Sequence, residues 1–277
     1  MKPCRIVLAL ATAISLHAAA AEFPQGLVLH YAFDDASTTG AVWDKTGRGP
    51  AGRGTGLVWA AAGRLGGAVE FGVTNSFLAF PATPALLTTQ QTVSLWFKTG
   101  RTGAVERWLL DRLPAAGSGL ALAAGPDAAQ RGKLRFGSEG QTCFSDAALT
   151  DGAWHHVAAT CDGRQLRLYV DGQLQKKVAE ARGGPAVQTN ALTIGMLRSD
   201  PAATVKSVSF GGLVDEVMIF NHALSAEQVQ AVRTAAQPKF SEADVKRRIA
   251  ELDDLLERGL ILPEFHARKV RECKPDA

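Results

Sequence analysis

What the sequence lacks excludes several classes of function. It carries 30 Lys and Arg against 27 Asp and Glu, a formal net charge of +3, so it has no basic excess of the kind that binds nucleic acid. It has no Gly-x-Ser-x-Gly motif, the nucleophile elbow of α/β-hydrolases, and thus gives no support to a Ser-His-Asp hydrolase. After its N-terminal segment it has no apolar run long enough to span a membrane.

The N-terminal segment has the pattern of an export signal. Lys2 and Arg5 precede an apolar stretch at 6–16, and small residues follow at 18–21. We predict a signal peptide over 1–21 and a mature chain that is secreted, periplasmic or at the cell surface. An uncleaved membrane anchor is the alternative, but the apolar stretch is too short to cross a bilayer.

The region 151–172 gives the clearest structural signal. Residues 154–160 (WHHVAAT) alternate between two faces, and Asp-Gly pairs at 162–163 and 171–172 supply tight turns around a second alternating strand. This pattern predicts an antiparallel meander in an all-β protein.

The same strands, WHHVA followed by LYVDG, resemble the LamG-like jelly-roll family of concanavalin A-like sandwiches. Further segments resemble that family in the expected order: 26–35 (GLVLHYAFDD), 44–54 (DKTGRGPAGRG), 63–71 (GRLGGAVEF), 92–98 (TVSLWFK) and 210–232 (FGGLVDEVMIFNHALSAEQVQAV). The resemblance implies an all-β, concanavalin A-like jelly-roll sandwich of two antiparallel sheets over residues 24–236.

The resemblance also implies a function, which is binding. We expect a secreted, lectin-like, non-catalytic module that recognises carbohydrate or glycoprotein; the alternative is a structural or assembly protein whose sandwich is only a scaffold. Related glucanases carry their acids in a Glu-x-Asp-x-x-Glu run, and this sequence has none. Asp215 and Glu216 are neighbours on a predicted strand and should point apart, which makes them a poor catalytic pair.

The resemblance implies one metal site, which holds a structural calcium ion. Asp34, Asp44 and Asp215 lie in the opening strand, the Asp-x-Thr-Gly loop and the closing strand, which such sandwiches bring together around Ca²⁺. The alternative is that Asp44 caps a turn and Asp215 accepts hydrogen bonds from the backbone.

Two pairs of side chains could be mistaken for functional groups. His155 and His156 are adjacent on a strand and therefore face opposite sides of the sheet, so we expect packing and hydrogen-bonding roles instead of metal chelation. Trp96 and Trp154 are interpreted as aromatics of the core or the sheet face, with sugar stacking as the alternative.

Three cysteines remain after signal cleavage. Cys143 and Cys161 lie at similar distances on either side of the turn at 151–152, so a simple hairpin would bring them together, and we predict a disulfide between them. Two buried thiols are the alternative. Cys273 is the odd cysteine, either unpaired or joined to a second chain.

The end of the sandwich carries a well-specified helix. Ser225 and Gln228 form a Ser-x-x-Gln capping box, and Leu224 and Val229 occupy the positions of a hydrophobic staple. We expect this helix to pack back onto the sandwich.

The C-terminal segment 240–273 predicts a helical hairpin. A helix begins at Ser241 and ends at Gly259, and Pro263 opens a second helix. The sequence IAELDDLLERGLILPEFHARKV resembles the short C-terminal domain family called SHOCT. So small a hairpin has little core of its own, so we predict self-association into a homo-oligomer, with docking onto the chain's own sandwich as the alternative.

Overall fold

The structure is a computed structural model. It describes residues 23–34, 41–81, 83, 88, 90–102, 106–112, 119–123, 129–138, 141–176, 178–180, 192–196, 209–235, 242–263, 266, 267 and 270. The predicted signal peptide at 1–21, the helix start at Ser241 and Cys273 lie outside these residues.

The described residues form strands and two helices. In chain order they are β1 (Leu27–Tyr31), β2 (Ala41–Val42), β3 (Gly52–Thr55), β4 (Leu57–Ala60), β5 (Ala68–Phe71), β6 (Phe77–Phe80), β7 (Gln91–Lys98), β8 (Arg107–Arg112), β9 (Gly119–Leu122), β10 (Lys133–Ser138), β11 (Gln141–Ala148), β12 (Trp154–Cys161), β13 (Gln165–Val170), β14 (Gln173–Leu174), β15 (Ala179–Glu180), β16 (Leu192–Ile194), β17 (Gly212–Phe220), α1 (Ala226–Ala235) and α2 (Glu242–Glu257).

The strands make two antiparallel sheets, which confirms the all-β jelly-roll prediction. The nine-stranded sheet has the order β14-β13-β12-β7-β17-β5-β4, with β1 also paired to β17 and β15 to β13. The eight-stranded sheet has the order β11-β10-β9-β8-β16-β6-β3-β2. Each predicted family segment contributes to this architecture, and β1, β5, β7, β12 and β17 all lie in the nine-stranded sheet.

The predicted meander is present. β12 pairs with β13 from Val157↔Val170 to Cys161↔Leu166. Asp171 and Gly172 connect β13 to β14 with φ angles of 49° and 82°, as a two-residue type I′ turn requires, and glycine and aspartate tolerate that conformation best. The turn positions Asp171 beside β12, where its carboxylate accepts a hydrogen bond from the backbone N–H of His156 at 2.9 Å.

The core lies between the sheets. Alternate residues of facing strands fill it, among them Leu29, Phe71, Phe97 and Leu168, each at most 1% exposed. Burying a large apolar side chain contributes about 1.5–3 kcal/mol, so this layer supplies most of the stabilisation. The sandwich is therefore a rigid support for its outer faces and rim loops.

A second apolar layer covers the outer face of the nine-stranded sheet. Val229 and Val232 of α1 pack there against residues of the sheet that include Trp96 and Tyr169. The capping box is formed as predicted: the Gln228 N–H donates to Ser225 Oγ at 3.3 Å, and the Ser225 N–H donates to Gln228 Oε1 at 2.9 Å. The prediction that this helix packs onto the sandwich is confirmed.

The predicted hairpin that would bring Cys143 and Cys161 together is not formed, and the prediction of a disulfide between them is wrong. β11 pairs with β10 in the eight-stranded sheet, whereas β12 pairs with β7 and β13 in the nine-stranded sheet, so the chain crosses between sheets at this turn. Both thiols are buried in the core and no disulfide joins them. Cys143 instead donates to the Phe136 carbonyl, with Sγ and O 3.7 Å apart.

The C-terminal segment is helical as predicted. Gly259, with φ +67°, ends α2 in a Schellman motif: its N–H donates to the Leu256 carbonyl, and the Leu260 N–H donates to the Leu255 carbonyl. His266 Nε2 lies 2.7 Å from Asp253 Oδ1 and ties the following turn back to α2. Within the described part of the chain, no helix is long and apolar enough to cross a membrane.

Candidate functional site

The Asp44 loop is anchored by a single carboxylate. Oδ1 of Asp44 accepts the backbone N–H of His30 at 2.7 Å and of Thr46 at 3.2 Å. Oδ2 accepts the Thr46 hydroxyl at 2.5 Å and the backbone N–H groups of Arg48 and Gly49 at 3.0 and 2.7 Å. Burial would raise the pKa of Asp44, but the hydrogen bonds from Thr46, His30 and Gly49 lower it below its usual value.

These contacts bear on the predicted calcium site. Five donors fill the acceptor positions of the Asp44 carboxylate, which offers about four lone pairs, so it does not fit the role of a calcium ligand. Among the residues that the structure describes, no three His, Cys, Asp or Glu side chains group to hold a metal ion. Asp44 has instead the turn-capping role that was the alternative interpretation.

The other two predicted ligands lie around a different loop, residues 63–67. Asp34 Oδ1 accepts the backbone N–H of Gly67 at 3.2 Å. Asp215 Oδ2 accepts the backbone N–H groups of Arg64 and Leu65 at 2.7 and 3.0 Å. Asp34 and Asp215 are thus brought to one loop, while Asp44 serves another.

Asp215 and Glu216 lie on a bulge in β17, where the pairing with β7 shifts register and Glu216 has φ 51°. The prediction assumed a regular strand. Burial raises the pKa of Asp215 to about 8, against the effect of the Leu65 N–H and with a further contribution from the charge of Glu216. Glu216 Oε2 lies 2.8 Å from His30 Nε2. Both carboxylates are at most 3% exposed and occupied by protein donors, which favours a structural role.

An exposed tryptophan lies next to the Asp44 loop. Trp43 is 66% exposed although Val42 before it and Asp44 after it are buried. Two cationic side chains of the same loop, Lys45 and Arg48, are also exposed. We call Trp43, Lys45 and Arg48 the Trp43 rim. Sequence patterning missed Trp43, because a tryptophan after a short β-segment is more often buried.

The two tryptophans named from the sequence have other surroundings. Trp96 is 2% exposed and packs under α1, and Trp154 is half-buried against the same layer. Both are aromatics of the sheet face, as interpreted from the sequence.

Polar side chains gather around Trp96 on the outer face of the nine-stranded sheet. Trp96 of β7 is paired with His156 of β12 on one side and with Asp215 of β17 on the other. The Arg64 guanidinium carbon lies 4.4 Å from the centroid of the Trp96 ring. Ser94 Oγ lies 2.8 Å from His156 Nε2. Burial lowers the pKa of His156 to about 3, so this imidazole is neutral at physiological pH.

His155 faces away from that group, as expected for adjacent strand residues. Its Nδ1 lies 2.9 Å from Asp171 Oδ2 and its Nε2 lies 3.1 Å from Asp151 Oδ1. The hydrogen bond that His155 donates to the Asp171 carboxylate raises the pKa of His155, against the effect of burial. The two histidines therefore have the hydrogen-bonding roles that the sequence predicted.

Comparison with known protein families assigns the chain to a superfamily. The family model described as the concanavalin A-like lectin/glucanases superfamily, of laminin G type, matches residues 71–230. The chain belongs to this superfamily. A curated relative, the rat sushi, von Willebrand factor type A, EGF and pentraxin domain-containing protein 1, is 26% identical over 102 residues, which is 35% of this chain and 3% of that protein. The chain thus spans only a small part of that relative's length.

Several solved structures are similar to this chain in fold. Domain 4 of the extracellular arabinanase AbnA from Geobacillus stearothermophilus, in complex with arabinotriose, has a TM-score of 0.57 and 22% identity, over 75% of this chain and 98% of the domain. The binding domain of Paraclostridial Mosquitocidal Protein 1 has a TM-score of 0.56 and 15% identity, over 75% and 52%. Trypanosoma rangeli sialidase, in complex with sialic acid, has a TM-score of 0.55 and 16% identity, over 76% and 33%.

Proposed function

We propose that the protein is an exported, lectin-like binding module that holds a carbohydrate or the glycan of a glycoprotein at the Trp43 rim, without catalysis. The observation that carries this proposal is the exposure of Trp43 on an anchored loop. A large exposed aromatic ring loses apolar contact with water when a ligand covers it, and its few rotatable bonds make the entropic cost small.

The anchoring of the loop supports the same proposal. Asp44 fixes five donors directly beside Trp43, so the backbone that carries the indole is rigid before a ligand arrives. Preorganisation lowers the cost of binding. Lys45 and Arg48 add donors on the same loop, which is the mixture of apolar face and polar groups that hydroxyl-rich ligands require.

Two structural relatives support carbohydrate as the ligand class, since the arabinanase domain holds arabinotriose and the sialidase holds sialic acid. Carboxylate chemistry does not favour an enzyme. Asp215 and Glu216 are buried and bonded to the protein, whereas glycoside hydrolysis needs two carboxyl groups flanking an accessible bond.

A glycan array with the mature chain tests the proposal. We expect reproducible binding to a restricted set of glycans, and Trp43→Ala should weaken it at least about tenfold, a loss of about 1.4 kcal/mol. Leu174→Ala is the matched control, because Leu174 is an exposed apolar residue on the edge strand β14, and it should bind like the wild type. A blank array, or equal binding by Trp43→Ala, would contradict the proposal.

The C-terminal hairpin favours a second candidate function, assembly. Leu260 is 59% exposed and Leu262 is 70% exposed in the turn that follows α2. Two exposed leucines separated by one residue on a small hairpin gain free energy by burial against another surface, and a second copy of the chain is the partner we propose.

Light scattering on the mature chain tests this second candidate. We expect a concentration-dependent oligomer that the double change Leu260→Ser and Leu262→Ser converts to a monomer. Val58→Ser, at another exposed apolar residue, should leave the oligomer intact. A monomeric wild type at every accessible concentration rejects the assembly function and leaves the binding function untouched.

A further inference from the structure

The outer face of the nine-stranded sheet holds a concentration of unpaired polar atoms. Among the residues that the structure describes, the buried side-chain nitrogens without a hydrogen-bond partner include Arg64 Nε, Trp96 Nε1 and His156 Nδ1 around Trp96, and Arg233 Nε, whose charge acts on Arg64 and His156. Buried donors in folded proteins are nearly always paired, and an unpaired one costs about 1–3 kcal/mol. Four in one place call for a common acceptor.

Three of these side chains contact one another, and the fourth, Arg233, lies within electrostatic reach of them, although the four come from a loop, two strands and a helix. The Arg64 guanidinium carbon lies 4.4 Å from the Trp96 ring centroid, and the Trp96 and His156 rings are 5.2 Å apart. Arg233 leaves α1 beside Gly172, where a Cβ would contact its Cδ at 3.4 Å. Burial lowers the pKa of Arg64 and the charge of Arg233 lowers it further, which places the two guanidinium groups within electrostatic reach.

The neighbouring acids do not hydrogen-bond with these arginines. Asp171 accepts from His155 Nδ1 and from the backbone N–H of His156. Asp215 accepts from backbone N–H groups, that of Arg64 included. In the described part of the chain, neither the Arg64 nor the Arg233 side chain has an ion-pair or hydrogen-bond partner. The charges of Asp171 and Asp215 act on Arg64, and that of Arg233 acts on Asp171, but no carboxylate oxygen of the described residues accepts from either guanidinium group.

We propose that Arg64, Arg233, Trp96 and His156 form a binding site for an oxyanion, a carboxylate, sulfate or phosphate group. Guanidinium N–H groups match the spacing of two oxygens on such a group, and an anion between two arginines removes their mutual repulsion. The indole N–H of Trp96 is a donor only. His156 Nδ1 is a donor in the tautomer in which the Ser94 hydroxyl donates to Nε2.

The exposure of the four side chains indicates from which side an anion enters the site. Trp96 and His156 are 2% and 1% exposed, whereas Arg64 and Arg233 are half-buried. The anion therefore enters between the arginines, and the indole and imidazole nitrogens form the floor. The site belongs to a different part of the molecule from the Trp43 rim, so its existence does not depend on the proposed glycan binding there.

Nuclear magnetic resonance of the indole N–H groups in the mature chain tests the site directly. The chain has 5 tryptophans, and Trp96→Phe identifies the Trp96 signal. Sodium sulfate, sodium phosphate and sodium glucuronate are titrated against sodium chloride at equal ionic strength. We expect a saturable shift of the Trp96 signal with at least one of the three oxyanions and none with chloride. Tighter binding of glucuronate indicates an acidic saccharide as the natural source, and tighter binding of sulfate or phosphate indicates a free inorganic anion.

Substitutions separate this site from general charge effects. Arg64→Gln and Arg233→Gln should each weaken oxyanion binding at least about tenfold, while the exposed Arg53→Gln, which removes the same charge elsewhere, should change it less than about twofold. Arg233→Gln should melt in chloride at the wild-type temperature or above, because it removes one of two like charges.

Two results would overturn the proposal. The first is a Trp96 signal that responds to none of the oxyanions beyond its response to chloride. The second is an Arg233→Gln variant that melts lower in chloride yet keeps wild-type oxyanion affinity, which is the behaviour of a purely structural arginine.

Discussion

Two buried aspartates anchor loops to this sandwich, and their charges are set in opposite ways. Asp44 accepts five hydrogen bonds and has a lowered pKa. Asp215 accepts three backbone N–H groups, is fully buried and lies beside Glu216, and its pKa rises to about 8. The comparison shows that the number of donors must outweigh desolvation before a buried carboxylate stays ionised.

The largest effect is expected at Asp44. Asp44→Ala leaves five donors without their acceptor, and we expect the free energy of unfolding to fall by about 3 kcal/mol, measured by urea denaturation. The loss should be the same in excess chelator and in millimolar calcium, because the carboxylate is occupied by protein donors. A wild-type melting temperature that rises with calcium, with a rise that Asp44→Ala abolishes, would instead establish the calcium site predicted from the sequence.

Asp215 should give the folded protein a pH dependence opposite to that of Asp44. Because its folded pKa of about 8 exceeds the unfolded value of 3.8, its contribution to stability is fully present below pH 3.8 and is lost as pH rises through about 8. Asp44 has a lowered pKa, so its contribution is present above the unfolded value and is lost as pH falls through the folded one. The two carboxylates therefore affect different pH ranges.

Asp215→Asn isolates that pH dependence. Between about pH 4 and about pH 8, the free energy of unfolding of the wild type should fall relative to that of the variant by at least about 1.4 kcal/mol, the equivalent of one pKa unit. Urea denaturation of both proteins at several pH values gives the difference. Parallel pH profiles would show that Asp215 ionises normally and that burial does not dominate its charge.

The smallest effect is expected at Asp162, which caps a turn without deep burial. Its Oδ1 accepts the backbone N–H groups of Arg164 and Gln165 at 2.8 and 2.7 Å, but water can replace it there. Asp162→Ala should therefore cost only about 0.5–1 kcal/mol. A cost as large as that of Asp44→Ala would mean that donor count alone, without burial, sets the stabilisation.

The sequence predicted those parts of the molecule in which neighbours in the chain are neighbours in space. The β12–β13 hairpin follows from alternation and a two-residue turn, and the start of α1 from the contact of Ser225 with Gln228. The path from β11 to β12 could not be predicted in this way. A turn between two strands is compatible with a hairpin or with a crossing between sheets, and only the pairing of the whole chain decides.

The candidate sites were less predictable for the same reason. Asp44 could be named from its Asp-x-Thr-Gly loop, but its role depends on His30, a residue of strand β1. Arg64 and Arg233 are far apart in the sequence and come within electrostatic reach only because a loop and α1 both lie over the outer face of the nine-stranded sheet. A local sequence pattern does not indicate which residues from distant segments lie close together in the fold.

The central claim is that this sandwich binds a glycan and leaves it intact. The most direct test incubates the mature chain with the glycan that binds best on the array, and measures bound glycan and released reducing ends in the same sample. We predict saturable binding, full recovery of the intact glycan, and loss of binding in Trp43→Ala. Sustained release of reducing ends by the pure protein, abolished by Asp215→Asn, would contradict the account.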